Sequence, residues 1–254
     1  MLEVSDIGVS FGGVHALRSV TFTAEANQIT SVVGPNGAGK TTLFNVITGF
    51  QKKGTGKVSF AGHDVGGLRP SEIASAGLVR TFQKTEVFSG LTVERAVEIG
   101  TVCGRGFPLW QTIWPGAIQR ARETAGGETA AILATCGIGH LAGKYCMALS
   151  YGEQRILEIA VALAARPLLL MLDEPASGLN PTEARVLGDL IVRIRSDGVG
   201  IVLIEHNMQL VMRISDRIVV LHHGEKIAEG GPNSIASNQR VIDAYLGGNT
   251  LASA

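Results

Sequence analysis

The chain is poor in the features that would send it to several common destinations. It has no charge excess: 22 lysines and arginines balance 22 aspartates and glutamates over 254 residues, for a formal net charge of +0. Without a net field there is nothing to draw in nucleic acid or an anionic membrane surface, so neither is an expected partner, and any membrane contact is expected to run through another protein. The three cysteines, Cys103, Cys136 and Cys146, have neither metal-ligand spacing nor a pairing logic, and read as small apolar residues in a reducing compartment. The start, Met1-Leu2-Glu3-Val4-Ser5-Asp6, carries acids where an export signal needs basic residues and an apolar run, so export is not expected. The most apolar stretch, Ile156 to Leu172, is broken by Glu158, Arg166 and Pro167. It falls short of the roughly 20 residues that a spanning helix requires. Internal repeats, low-complexity tracts and a guanine-reading Asn-Lys-x-Asp are all missing.

What is present is an alternation of strands and helices. At 45% hydrophobic, the chain can bury one α/β core, with or without a small insertion. Leu2 to Phe11 and Val20 to Ala24 alternate loosely and are rich in β-branched residues, and Lys57 to Gly62 extends them into a small, partly antiparallel N-terminal sheet. Ile29 to Val33 is a compact apolar strand that runs into a glycine-rich loop and a helix over Thr41 to Thr48. From about Gly90 to Arg155 the texture becomes helical (Val93 to Ile99, Gln119 to Ala134), interrupted by Gly104 to Pro108 and by Gly126-Gly127. This predicts a helical insertion over about 84–156 within a single domain, 1–254. A helix over Glu153 to Ala165, a strand over Leu168 to Leu172, a helix over Thr182 to Arg195 and a strand over Gly200 to Ile204 then imply a mostly parallel sheet covered by helices. Arg217 to Leu221 and Lys226 to Glu229 read as a hairpin, and Val241 to Leu246 as a closing helix.

Two motifs carry chemistry. Gly34-Pro35-Asn36-Gly37-Ala38-Gly39-Lys40-Thr41 matches the phosphate-loop pattern in the strand–loop–helix context that it requires. Its glycines let successive backbone N–H groups turn inward, the helix N-terminus adds a positive dipole end, Lys40 reaches the β- and γ-phosphates, and Thr41 offers a hydroxyl to Mg²⁺. Leu168 to Leu172 ends in Asp173-Glu174. In phosphate-loop enzymes the strand-end aspartate holds Mg²⁺, and a carboxylate one residue on can polarise the attacking water.

Leu149-Ser150-Tyr151-Gly152-Glu153-Gln154-Arg155, just ahead of that strand, resembles the signature of the ABC nucleotide-binding domain, with Tyr151 where many members have glycine. The resemblance extends over essentially the whole chain. It implies an α/β fold with a phosphate-loop NTPase core, an N-terminal antiparallel β subdomain and a helical insertion. It also implies an ATPase using ATP and Mg²⁺, in which two subunits close on two nucleotides. ATP would lie against Phe11, Gly34, Pro35, Asn36, Gly37, Ala38, Gly39, Lys40, Thr41 and Thr42 of one chain and Ser150, Gly152 and Glu153 of the other. Phe11 would stack on adenine; an ordinary core phenylalanine is the alternative. Thr41, Gln83 and Asp173 would attend the metal, and Glu174, His206, Gln83 and Lys40 the reaction. Ser177-Gly178-Leu179-Asn180 is similar to the loop that crosses the dimer interface, with Asn180 in place of the commoner aspartate.

Phe11 to Leu17, Arg80-Thr81-Phe82-Gln83, Glu174 to Pro181, Ile204-Glu205-His206-Asn207-Met208 and Ala244-Tyr245-Leu246-Gly247 are similar to LivG-type ATPases of branched-chain amino acid importers. ATPases for urea and other amides share most of these features. That branch implies permease subunits, a sister ATPase or second copy, an extracytoplasmic solute-binding protein, and a place on the cytoplasmic face of the cell membrane. The segment Lys84 to Glu98 is expected to receive the permease. A soluble ABC protein not coupled to transport, as in translation or DNA repair, would carry two cassettes or a long coiled coil, and a small-molecule kinase would leave Ser150 to Gln154 unexplained.

Overall fold

The computed structural model describes residues 1–81, 90–104 and 126–246. Two sheets organise it. Strands β1 (Leu2–Phe11), β2 (Val14–Ala24), β4 (Thr55–Phe60) and β5 (His63–Asp64) form a four-stranded antiparallel sheet in the order β2-β1-β4-β5. The second sheet has six strands in the order β10-β9-β3-β8-β7-β6. Its members β3 (Ile29–Val33), β6 (Leu78–Arg80), β7 (Leu169–Asp173), β8 (Gly200–Ile204) and β9 (Arg217–His222) run parallel, and β10 (Glu225–Gly230) closes one edge antiparallel.

The strands at the centre are β3, β7 and β8, and every residue of each is buried. Continuous apolar runs form such strands because both faces are covered. Leu169 and Met171 of β7 point into the core shared with β1, β2, β4 and α1 (Lys40–Ile47), whereas Leu170 and Leu172 point into the core shared with α3 (Val93–Gly104), α5 (Tyr151–Ala164) and α6 (Pro181–Ser196). The two-residue period of the strand thus divides one apolar run between two layers. Gly100 lets α3 and α5 approach closely: a Cβ there would stand 2.8 Å from the Val161 carbonyl and 2.9 Å from the Ala164 methyl.

Several short elements were not expected: α2 (Pro70–Ser75), β6, α7 (Met208–Ile214) and α8 (Pro232–Ala236). Residues 126–135 are helical (α4), so Gly126-Gly127 lie within a helix. The hairpin β9–β10 and the closing helix α9 (Gln239–Leu246) lie where the sequence puts them. Gln83, Arg105 to Pro108, residues 119–125 of the expected second helical stretch and the first six residues (84–89) of the expected docking segment lie outside the described residues.

Candidate functional site

The carboxyl ends of β3, β7 and β8 meet at one edge of the parallel sheet, where α/β folds present ligand sites. Residues 34–39 leave β3 and enter α1 there. Gly37 and Gly39 have φ of 78° and 100°, values that favour glycine. A Cβ on Gly39 would stand 2.6 Å from the Ala16 carbonyl, so this residue is also pressed against β2. As the N-cap of α1, Gly39 has no side chain with which to cap, and the first N–H groups of that helix face the loop. Asn36, Gly37 and Thr41 are exposed, and Ala38 and Lys40 are buried.

Lys40 is only 6% exposed. Its ammonium donates to the Gly34 carbonyl at 2.7 Å and the Pro35 carbonyl at 2.9 Å, crossing its own loop. Burial lowers its pKa, while the acids Glu174 and Asp173 oppose that shift. The loop, Lys40, Thr41, Thr42, Glu174 and His206 line one cleft of about 230 Å³.

On the far wall, Glu174 leaves β7 with φ 49°, a left-handed conformation that costs a non-glycine residue about 1–2 kcal/mol. The turn aims its carboxylate across the cleft, where His206 Nε2 stands 2.6 Å from Glu174 Oε1. Asp173, one residue back, stays buried at the end of the strand, and the Arg80 guanidinium donates to its Oδ2 at 2.6 Å. Arg80 also reaches Asn45 Oδ1 at 2.7 Å, with its guanidinium carbon 5.9 Å from the ring centroids of both Phe44 and Phe50. The sequence did not single out Arg80 for any role; its partner lies 93 residues away, and no spacing rule connects them.

Ser150 and Gly152 open α5 on a separate part of the surface, and neither lines the loop cleft. The Ser150 hydroxyl accepts the Glu153 N–H at 3.3 Å and the Glu153 carboxylate accepts the Ser150 N–H at 2.7 Å, a complete capping box. A serine hydroxyl that accepts a bond keeps its proton to give to another acceptor. Gly152 is pressed on α6, where a Cβ would stand 2.9 Å from Glu183 Oε1. Tyr151 lies over Gly178, and Arg155 stacks 4.8 Å from the tyrosine ring centroid.

Asn180 turns out to be a helix cap. Its Oδ1 accepts the N–H groups of Thr182 and Glu183, both at 3.0 Å, and its own N–H donates to Glu183 at 3.0 Å. Phe11 is 48% exposed at the end of β1, which removes it from the core. Cys136 and Cys146 are buried, as apolar residues would be.

No group of three or more His, Cys, Asp or Glu able to hold a metal exists among the described residues. Mg²⁺ needs none: it keeps several waters and takes one or two carboxylates plus phosphate oxygens. A strand-end carboxylate and a hydroxyl at a helix start are all-oxygen donors of the kind it takes, so Asp173 and Thr41 fit.

A glycine loop uncapped at a helix start, a buried lysine crossing it, and an acid pair at the end of β7, two strands across the sheet from β3, define a nucleotide-binding cassette. The ABC transporter family matches residues 17–177, and the branched-chain amino acid ATP-binding cassette family matches residues 225–249. The ATP-binding protein BraF of high-affinity branched-chain amino acid transport in Pseudomonas aeruginosa is 41% identical over 256 residues, covering 97% of this chain and 98% of BraF. The LivG protein of Escherichia coli K12 is 40% identical with the same coverage. The crystal structure of the ADP conformation of MJ1267, an ATP-binding cassette of an ABC transporter, matches with a TM-score of 0.85 at 30% identity, over 97% of this chain and 98% of that one. The chain belongs to the ABC transporter ATP-binding family, in its branched-chain amino acid group. It is an ATPase of that family and shares its fold.

Proposed function

We propose that this ATPase drives an importer of branched-chain amino acids or of related small polar solutes such as urea and amides. The names and full-length similarity of BraF and LivG support the solute class. The observation that carries the chemistry is the 2.6 Å bond from His206 to Glu174 across the mouth of the phosphate loop. It holds a carboxylate where a γ-phosphate would end.

In this reading the loop amides and Lys40 bind the β- and γ-phosphates, and Thr42 and Phe11 contact the nucleotide further out. Asp173 and Thr41 would hold Mg²⁺, with Gln83 also attending it. The metal supplies charge neutralisation at the phosphates. Glu174 orients the attacking water and accepts its proton, and His206 keeps that carboxylate aimed. Ser150, Gly152 and Glu153 serve the ATP of a second cassette, a sister ATPase or another copy, because they open α5 away from this chain's own loop.

No helix among the described residues is long and apolar enough to cross a membrane. In this reading permease subunits provide the path, and the segment from Lys84 to Glu98 receives them at the cytoplasmic face. An extracytoplasmic solute-binding protein delivers the solute to that permease. Glu174→Gln and Lys40→Ala separate the steps: equilibrium ATP binding and phosphate release are measured for each. Glu174→Gln is expected to keep ATP affinity and lose most turnover, whereas Lys40→Ala loses both. Normal steady-state hydrolysis by Glu174→Gln removes that residue from the water-orienting role.

A further inference from the structure

Glu205 is a carboxyl group at 2% exposure, and the roles above leave it without a task. It follows the last residue of β8 and points sideways toward β7. Its Oε1 accepts the N–H of Ala176 at 2.7 Å, and its Oε2 accepts the N–H groups of His206 at 3.0 Å and Asn207 at 3.2 Å. All three donors are backbone groups, two on the loop that carries His206 and one on the loop that carries Glu174.

The placement has a structural cause. The parallel pairing of β7 and β8 ends at Asp173 and Ile204, and one further bond, Glu174 N–H to the Ile204 carbonyl at 2.9 Å, closes the ladder. Beyond it the chains diverge, Glu174 into a left-handed turn and Asn207 into the N-cap of α7. The N–H groups of Ala176, His206 and Asn207 beyond the ladder have no opposite strand to bond, and buried donors left in that state cost about 1–3 kcal/mol each. The Glu205 side chain stands in for the missing strand. It fixes the backbone on both sides of the 2.6 Å bond between His206 and Glu174.

We infer that Glu205 is a positioning residue: its buried carboxyl ties residue 176 to residues 206 and 207 and so sets the distance between the water-orienting carboxylate and its histidine. The inference rests on the roles proposed for Glu174 and His206, but the clamp itself is measurable without them. Glutamine cannot replace it, because one of its two polar atoms is an NH₂ group, which places a donor against a donor on one side of the clamp or the other.

The first measurement is amide hydrogen exchange on the nucleotide-free wild-type chain. Slow exchange at Ala176, His206 and Asn207 is expected, and exchange at these amides as fast as in exposed loops overturns the clamp. The second is steady-state hydrolysis at saturating Mg²⁺ and varied ATP for Glu205→Gln and Glu205→Ala. The expected result is a kcat lower by on the order of 10–100-fold, the loss that misplacement of catalytic groups by about 1 Å brings, with KM within about twofold. The third repeats Glu205→Gln in a His206→Ala background. There the additional loss is expected to shrink to within about threefold, since the pair being positioned is already broken. An undiminished loss in that background, or a rise in KM with kcat unchanged, refutes positioning through the pair. A wild-type chain with slow exchange at all three amides but no hydrolysis would leave the clamp standing and remove the catalytic reading instead.

Discussion

Gly34→Ala tests how tightly the phosphate loop is built against its neighbour. The residue has φ 152°, and a Cβ on it would stand 2.1 Å from the Leu221 carbonyl oxygen and 3.1 Å from the Ala38 methyl. The first obstacle is backbone in the middle of the sheet, since Leu221 pairs in β9 next to β3. Restoring ordinary contact requires a shift of about 1 Å by one of the two chains. Overpacking of that kind costs about 1–3 kcal/mol, and holding an alanine in a glycine conformation adds a further cost of similar size. We expect about 3 kcal/mol in all. For a domain of this size that lowers Tm by about 6–12 °C. Because the shifted residue begins the loop, ATP affinity falls with it. Gly37→Ala is the matched control: its φ is 78°, but nothing lies within 4 Å of the added methyl, so only the conformational cost of about 1–2 kcal/mol remains. Thermal unfolding followed by circular dichroism, with equilibrium ATP binding, compares the two. A Gly34→Ala protein that melts within about 1 °C of wild type, or that is hurt less than Gly37→Ala, refutes the argument.

Asn180→Ala is expected to cost about 1 kcal/mol by removing two cap bonds, while Asn180→Asp keeps them and adds charge at a helix N-terminus, so it melts at or slightly above wild type. Burial pushes the Cys136 thiol up to about 12. At pH 8, far below that value, the reactive thiolate is scarce, so iodoacetamide should leave Cys136 unmodified in the native chain and label it readily in urea, as mass spectrometry would show. If each ATP is served by Ser150 of the other cassette, Lys40→Ala and Ser150→Arg are each inactive alone, and mixing them into heterodimers restores part of the phosphate release. No recovery in proven mixed dimers counts against a shared site.

The parts of the fold legible in the sequence were those with a long or unbroken signal. β3, Ile29 to Val33, is compact and rich in β-branched residues, β8 is apolar, and the acids closing the apolar run of β7 mark its end. β2 was read only from Val20, because register shifts between Val4 and Ser10 of β1 break the alternation in its first half. The short elements β6 and α8, of three and five residues, are too brief for any period to be counted. Within the site, the loop and acid pair were visible as motifs. The contacts of Arg80 and Glu205 span 93 and 29 residues and exist only once the strands lie side by side. Asn180 was readable as a cap from Asn-Pro-x-Glu, although the sequence was read there only as similar to a loop that crosses a dimer interface.

The bare start of α1 has a consequence for folding itself. The helices α5, α6 and α7 each begin on a side chain that accepts from their first turn, Ser150, Asn180 and Asn207. α1 begins on Gly39, with no such acceptor, so its terminal donors are left to solvent or to a ligand. A phosphate group is then an N-cap supplied from outside the chain. The order of this helix becomes a function of nucleotide concentration: ligand that binds only the folded form stabilises it by about 2.7 kcal/mol at a hundredfold excess over Kd, and that increment vanishes when the nucleotide leaves. In the proposed site, each turnover would remove and restore that cap at the start of a helix whose Leu43, Phe44 and Ile47 lie wholly inside the core.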